Sequence, residues 1–269
     1  MSMPNNLFLV RHGESEGNVA LKATDRGDHS FMTHQEFTGQ HSSKWRLTSR
    51  GRDQADVAGQ WFRDNYPEGF DFYFTSEYAR SMETAALMGI LGPAGRRWRI
   101  SPYLRERYWG ELDRMTADER DRKFAATLRD ASTSPFYWRP PNGESFVDVS
   151  ARVKWLIGTL ARTWSHRNGV LVCHGEVIEA FRIELERLSE KQYIDEYDHP
   201  ENKVRNCDII HYTRFDERGD QRPYFFRKRV ISNGVPGQFE TIIRHEYTDD
   251  ELLEMIDELP LYFEDLLGY

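Results

Sequence analysis

Leu7-Phe8-Leu9-Val10-Arg11-His12-Gly13-Glu14-Ser15 has a counterpart far along the chain, Gly169-Val170-Leu171-Val172-Cys173-His174-Gly175. Each stretch is a short apolar run that stops abruptly at a histidine followed by glycine. Four apolar residues without polar alternation suit a strand buried on both faces, as in a parallel sheet. Ligands of open parallel sheets sit beyond the carboxyl ends of the strands. Two strands ending in His12 and His174 therefore predict one pocket that both imidazoles face.

The 269 residues are enough to bury a sizeable core and fit one large α/β domain spanning 1–269. The expected architecture is a three-layer α/β/α arrangement with a mostly parallel central sheet. A loop insertion is expected at about 20–46 and a C-terminal extension at about 215–269, the latter including a hairpin strand and an acidic helix. Cys173 and Cys207, the only cysteines, are too few for a disulfide scaffold or a zinc site and point to a reducing, cytoplasmic setting. No run is long and apolar enough for a membrane span, and Met1 to Asn6 lacks the basic and apolar regions of a signal peptide. The net charge of −8 is concentrated in the tail: from Glu240 onward ten Asp/Glu face one Lys/Arg, leaving residues 1–239 at +1. The arginines are scattered, so nothing favours nucleic acid as a partner.

Along the chain, Gly13 to Asn18 reads as a turn whose backbone amides are free for an anion. Residues 20–46 are polar and aperiodic and read as a long loop that covers the pocket. His29, His34 and His41 are spaced by five and seven, which matches no compact metal-ligand pattern. Thr48 caps a helix with an apolar face of Ala55, Val57, Ala58, Trp61 and Phe62, stopped by Pro67. A strand at Phe70 to Thr75 leads into a helix from Ser81 to Ile90, which places Arg80 just past a strand end, where a guanidinium can join backbone amides in holding a phosphate. A short strand near Trp98 precedes Arg105-Glu106-Arg107, where Glu106 reads either as a general acid or as a salt-bridge partner. Thr116-Ala117-Asp118-Glu119 is a capping box, and Phe146, Val149, Val153, Leu156, Ile157, Leu160 and Trp164 form the clearest amphipathic stripe. Helices follow at Glu176 to Leu188 and Glu190 to Tyr197. Cys207 to Arg214 and Pro223 to Val230 read as a hairpin. A helix capped at Thr248 runs to Leu259, docked by Leu252, Leu253, Ile256 and Leu259 in the simplest reading; a subunit interface, and so a homodimer, is the alternative.

From Leu7 to about Thr213 the chain resembles the histidine phosphatase superfamily, the phosphoglycerate mutase-like fold, on four motifs in family order: Arg11-His12-Gly13, Thr75-Ser76-Glu77-Tyr78-Ala79-Arg80, Glu106 and Cys173-His174-Gly175. The resemblance implies that His12 takes the phosphoryl group and that Arg11, Arg80 and Asn18 hold phosphate, with Gly175 beside them. It implies that Glu106 is the proton donor and His174 the second histidine of the phosphate pocket. No metal and no cofactor is implied. Such a site uses neutral imidazole as nucleophile, with cations favouring the neutral form. Glu111, Asp113 and Glu176 are the competing acids. The Tyr137 to Ser145 segment is similar to the fructose-2,6-bisphosphatase type branch, whereas Glu106-Arg107-Tyr108 with Gly110 and Leu112 is similar to phosphoglycerate mutases. The expected function is a metal-independent phosphomonoesterase acting on a small phosphorylated metabolite. A cofactor-dependent mutase and a non-catalytic phospho-ligand binding protein are the alternatives. Two departures stand out: the segment between Asn18 and Thr38-Gly39 is longer than in the mutases, and Glu176 adds a carboxyl next to the pocket.

Overall fold

The computed structural model describes residues 2–92, 95–197, 203–244 and 246–257. In chain order the strands are β1 (Asn6–Arg11), β2 (Phe72–Thr75), β3 (Trp98–Ile100), β4 (Asn168–Cys173), β5 (Ile209–Thr213), β6 (Arg227–Ser232), β7 (Val235–Pro236) and β8 (Glu240–Thr241). The helices of the first half are α1 (Glu16–Thr24), α2 (Ser30–Thr33), α3 (Gln35–Thr38), α4 (Ser49–Asn65) and α5 (Ala79–Met88). Those of the second half are α6 (Ala117–Thr133), α7 (Phe146–Thr163), α8 (Gly175–Glu186), α9 (Glu190–Tyr197) and α10 (Asp249–Asp257).

The strand order is β3-β2-β4-β1-β5-β6-β7, with β8 also paired to β6. β3, β2, β4 and β1 run parallel, and β5 to β8 extend the sheet antiparallel. The unbroken apolar runs follow from burial on both faces. Leu7, Leu9, Leu171 and Cys173 pack into one core with α7 and α8, while Phe8, Val10, Val170 and Val172 pack into the other with α4 and α5. Successive strand side chains point to opposite faces, so each run feeds two cores. The expected hairpin is the β5/β6 pair, closed around Gly219 at φ +84°. No helix among the described residues is long and apolar enough to cross a membrane.

Three expectations are corrected. Residues 20–46 are not a plain loop: α1 runs to Thr24, and α2, α3 and a 3-10 turn at Ser42–Lys44 follow. Four-residue helices are too short to display a 3.6-residue period; tertiary contacts hold them, including Phe37 stacked on Trp45 with ring centroids 4.5 Å apart. Arg114 Nη1 also donates to Thr38 O at 2.8 Å. Secondly, Val57 is largely exposed, unlike the other four residues of the α4 stripe. Thirdly, α10 does not dock by its leucines: Leu252, Leu253 and Ile256 are about half exposed, and Leu259 lies outside the described residues.

Candidate active site

The ladder between β1 and β4 pairs Arg11 with Cys173. Both strands therefore end at one level, and the next residues, His12 and His174, emerge side by side with ring centroids 5.1 Å apart. His12 N donates to Cys173 O at 3.0 Å, which fixes the turn that carries His12 to the neighbouring strand. His12 and His174 are buried. The β2 end supplies Arg80, the second residue of α5, whose Nε donates to His12 Nε2 at 3.1 Å.

That bond assigns the tautomer. His12 Nδ1 lies 2.7 Å from Gly13 O, which can only accept, so Nδ1 carries the proton and Nε2 presents its lone pair. His174 is oriented from the other side, its Nε2 2.9 Å from Ser76 Oγ and 3.4 Å from Ser81 Oγ. Its Nδ1 lies 3.7 Å from Glu106 Oε2 and is buried without a hydrogen-bond partner among the described residues. Glu106 Oε1 accepts from Arg107 N at 3.0 Å.

A cavity of about 190 Å3 opens here, and Arg11, His12, Asn18, Arg80 and Glu106 line it. His174 and Gly175 stand one layer behind: His174 against His12, and Gly175 so close to Arg11 that a Cβ there would meet its Nε at 3.6 Å. Arg11 Nη1 is anchored on Val204 O at 2.5 Å. All seven residues singled out from the sequence thus converge. α5 and α8 begin at the site with no side-chain cap, so their first-turn amides add positive potential.

The turn from Gly13 to Asn18 behaves differently from the expectation. Its amides are occupied: Gly13 N donates to Thr84 Oγ1, Glu14 N to Gln54 Oε1, and Ser15 N to Asn18 Oδ1. Ser15 and Asn18 form a reciprocal capping box that starts α1, and the first turn of that helix replaces the anion-receiving loop. Asn18 Oδ1 also accepts from Asn206 Nδ2 at 3.1 Å, which leaves the Asn18 amide NH2 as the part that can donate to a ligand. No local pattern in the sequence marks Asn206, which comes from a remote segment. It also donates to His12 O at 2.9 Å, and it sits there because β5 runs antiparallel to β1 and so begins where β1 ends. Ser76 and Ser81 were likewise missed. Of the competing acids, Asp113 lines the cavity, while Glu111 is turned to Asn142. Thr38 and Gly39 do not line it; Met32, Ser42 and Trp45 from the same segment do.

Burial holds the His12 and His174 rings well below the ordinary imidazole range, with Arg80 as the next cause for each. The cations expected to keep His12 neutral do so, but desolvation is the larger effect. Burial raises the Glu106 carboxyl against the pull of Arg80, which favours a protonated acid beside a neutral imidazole. Tyr78 is pushed up to about 12 by burial. His12, Glu106 and His174 offer ligand atoms within 4.8 Å of one another, close enough for a metal ion by distance alone. With Arg11 and Arg80 lining the same space, that potential suits an anion better than a dication.

A lone-pair imidazole, an apposed acid and two guanidiniums around a small hollow define a site for transferring or holding a phosphoryl group. Comparison with known proteins agrees: the model of the histidine phosphatase superfamily (branch 1) matches residues 7–218. The chain is 33% identical over 203 residues to a 2,3-bisphosphoglycerate-dependent phosphoglycerate mutase of Methylobacterium radiotolerans, covering 72% of this chain and 84% of that one. Among solved structures, a mycobacterial glucosyl-3-phosphoglycerate phosphatase superposes with a TM-score of 0.60 at 26% identity, over 78% of this chain and 92% of that one. The α-ribazole phosphatase of Shigella flexneri shares the fold, with a TM-score of 0.61 at 21% identity over 82% and 95% of the two chains. The chain belongs to the histidine phosphatase superfamily, branch 1, and the proteins it is similar to include phosphatases and mutases.

Proposed function

We propose that this protein is a metal-independent phosphomonoesterase that hydrolyses a small phosphorylated metabolite through a phosphohistidine at His12. The observation that carries the reading is the orientation of His12: Nδ1–H is committed to Gly13 O, so Nε2 holds the nucleophilic lone pair, which accepts from Arg80 Nε–H until that donor turns to a phosphoryl oxygen. In the first step Nε2 forms the bond to phosphorus, and the bond from phosphorus to the alcohol oxygen breaks. Arg80, Arg11 and the Asn18 amide stabilise the equatorial oxygens, with His174 packed behind His12. Protonated Glu106 gives its proton to the leaving oxygen. In the second step the Glu106 carboxylate takes a proton from water, the resulting hydroxide attacks phosphorus, and His12 departs with its lone pair restored.

A mutase is the second reading, favoured by the identity to phosphoglycerate mutases. One preparation decides between them when inorganic phosphate released from a panel of phosphorylated metabolites is measured beside interconversion of 2- and 3-phosphoglycerate primed with 2,3-bisphosphoglycerate. Phosphate release that outruns interconversion on every substrate supports the phosphatase. Interconversion faster than phosphate release assigns the mutase.

A further inference from the structure

A second chamber, of about 470 Å3, lies next to the catalytic cavity and shares Arg107, Trp109 and Arg120 with it. Beyond those three its wall is largely apolar, with Leu128, Trp138, Phe146 and Tyr193 among the lining residues. Arg107 is the partition, and it is held from every side. Its Nε donates to Glu144 O at 2.8 Å, Nη2 to Trp138 O at 3.1 Å, and Nη1 to Glu176 Oε1 at 3.3 Å. The guanidinium also lies 4.7 Å over the Trp109 ring and 5.7 Å over that of Trp138.

Three polar atoms of the lining residues are buried with no hydrogen-bond partner among the described residues: the donors Trp138 Nε1 and Arg120 Nε, and the acceptor Glu176 Oε2. All three lie beneath the chamber's surface, out of reach of a water-sized group, so the wall that an occupant meets is the aromatic and aliphatic one, a common lining for an organic ligand. Burial, with Glu106 as the next cause, pushes the Glu176 carboxyl up to about 7.

We propose that this chamber seats the organic part of the phosphomonoester, which makes the substrate class a phosphate ester of an alcohol with a flat, apolar body. The inference rests on the phosphomonoesterase reading and deepens it. Adjacency argues for the occupant: a group attached to a phosphoryl at His12 that extends past Arg107 and Trp109, the residues both spaces share, enters the chamber. The rings of Trp109, Trp138 and Phe146 then cover its faces.

The test fills the chamber from α6. Ala131 lines it and makes no polar side-chain contact, so Ala131→Trp occupies the space without touching the phosphate pocket. The readout is the ratio of kcat/KM for 2-naphthyl phosphate to that for glycerol phosphate. This ratio falls at least about tenfold in the variant, since a single methylene-sized contact in such a pocket is already worth about tenfold or more. Leu128→Trp, one turn earlier on the same helix, gives the same fall. An unchanged ratio in both variants overturns the proposal. If neither ester is hydrolysed, the phosphatase reading fails, and a titration with 2-naphthol followed by tryptophan fluorescence decides the chamber separately. Saturable quenching that Ala131→Trp abolishes supports it, and its absence in the unsubstituted protein refutes it.

Discussion

Replacing Glu106 by Gln separates acid catalysis from every other contribution of the site. The amide keeps the shape of the carboxyl and an oxygen to accept from Arg107 N, now at 3.0 Å, but it has no proton to give to a leaving alcohol. A positioned general acid is worth about 10² to 10⁴ in rate, and that benefit scales with how much the leaving oxygen needs the proton. For an alkyl phosphate, kcat/KM falls by that whole factor. For 4-nitrophenyl phosphate, whose phenolate leaves unaided, it falls by about tenfold or less. The ratio kcat/KM is the right quantity because it stops at formation of the phosphohistidine, before Glu106 is needed again to activate water. The same variant therefore shows a burst of nitrophenol followed by a slow steady state. Fold loss is not a confounder. Burial raises the Glu106 carboxyl in the folded state, so the ionised form is the one that destabilises, and whatever stability the acid adds at low pH is lost as pH rises through its folded pKa. A permanently neutral Gln leaves the melting temperature at pH 7 equal or higher. Equal losses on both esters would refute the assignment.

His12→Ala folds, because the ring makes one side-chain bond to Gly13 O and one from Arg80, but it loses turnover of aryl phosphate and forms no acid-labile phosphoenzyme; near-normal turnover removes His12 from its role. In the unsubstituted protein the acid limb of kcat/KM lies below the 6.5 of free imidazole, since burial and Arg80 hold the His12 ring down. EDTA leaves activity intact, and inhibition reversed by a divalent ion contradicts the metal-free mechanism. Gly59→Ala gains about 1 kcal/mol of helix propensity, yet its Cβ would lie 2.1 Å from Met88 O, where α4 meets α5. Overpacking of that kind costs about 1–3 kcal/mol or more, so urea denaturation shows a net loss, and a gain would show that the helices part easily. Glu176→Gln becomes progressively more stable than the unsubstituted protein as pH rises from 4.5 to about 7. The raised carboxyl loses its stabilising proton across that window, a difference on the order of 3 kcal/mol by urea titration at the two ends.

Legibility differed by element, for physical reasons. The α7 stripe and the two strand ends stood out because their periodicity or its absence is local, and α4, α5 and α8 each form within two residues of the expected start. Ser15-Glu16-Gly17-Asn18 reads as a turn because its capping box closes with Asn, not with the Glu or Gln that signals one in sequence. The tail helix formed as its Thr248 cap predicted, yet its apolar side chains found no bed among the described residues, since periodicity specifies a face and not what lies against it.

By itself the sequence determined that two buried strands end in histidine, that an arginine opens the helix after a third strand, and that Glu106 stands between two arginines. Each follows from neighbours in the chain, where backbone geometry acts directly. Only the tertiary structure decided that Arg11 pairs with Cys173 and so sets both imidazoles at one level, and that Asn206 and Ser76 hold the site from remote segments. It also decided that an aromatic chamber adjoins the phosphate cavity. Register and enclosure are properties of how distant segments pack, and no local pattern encodes them.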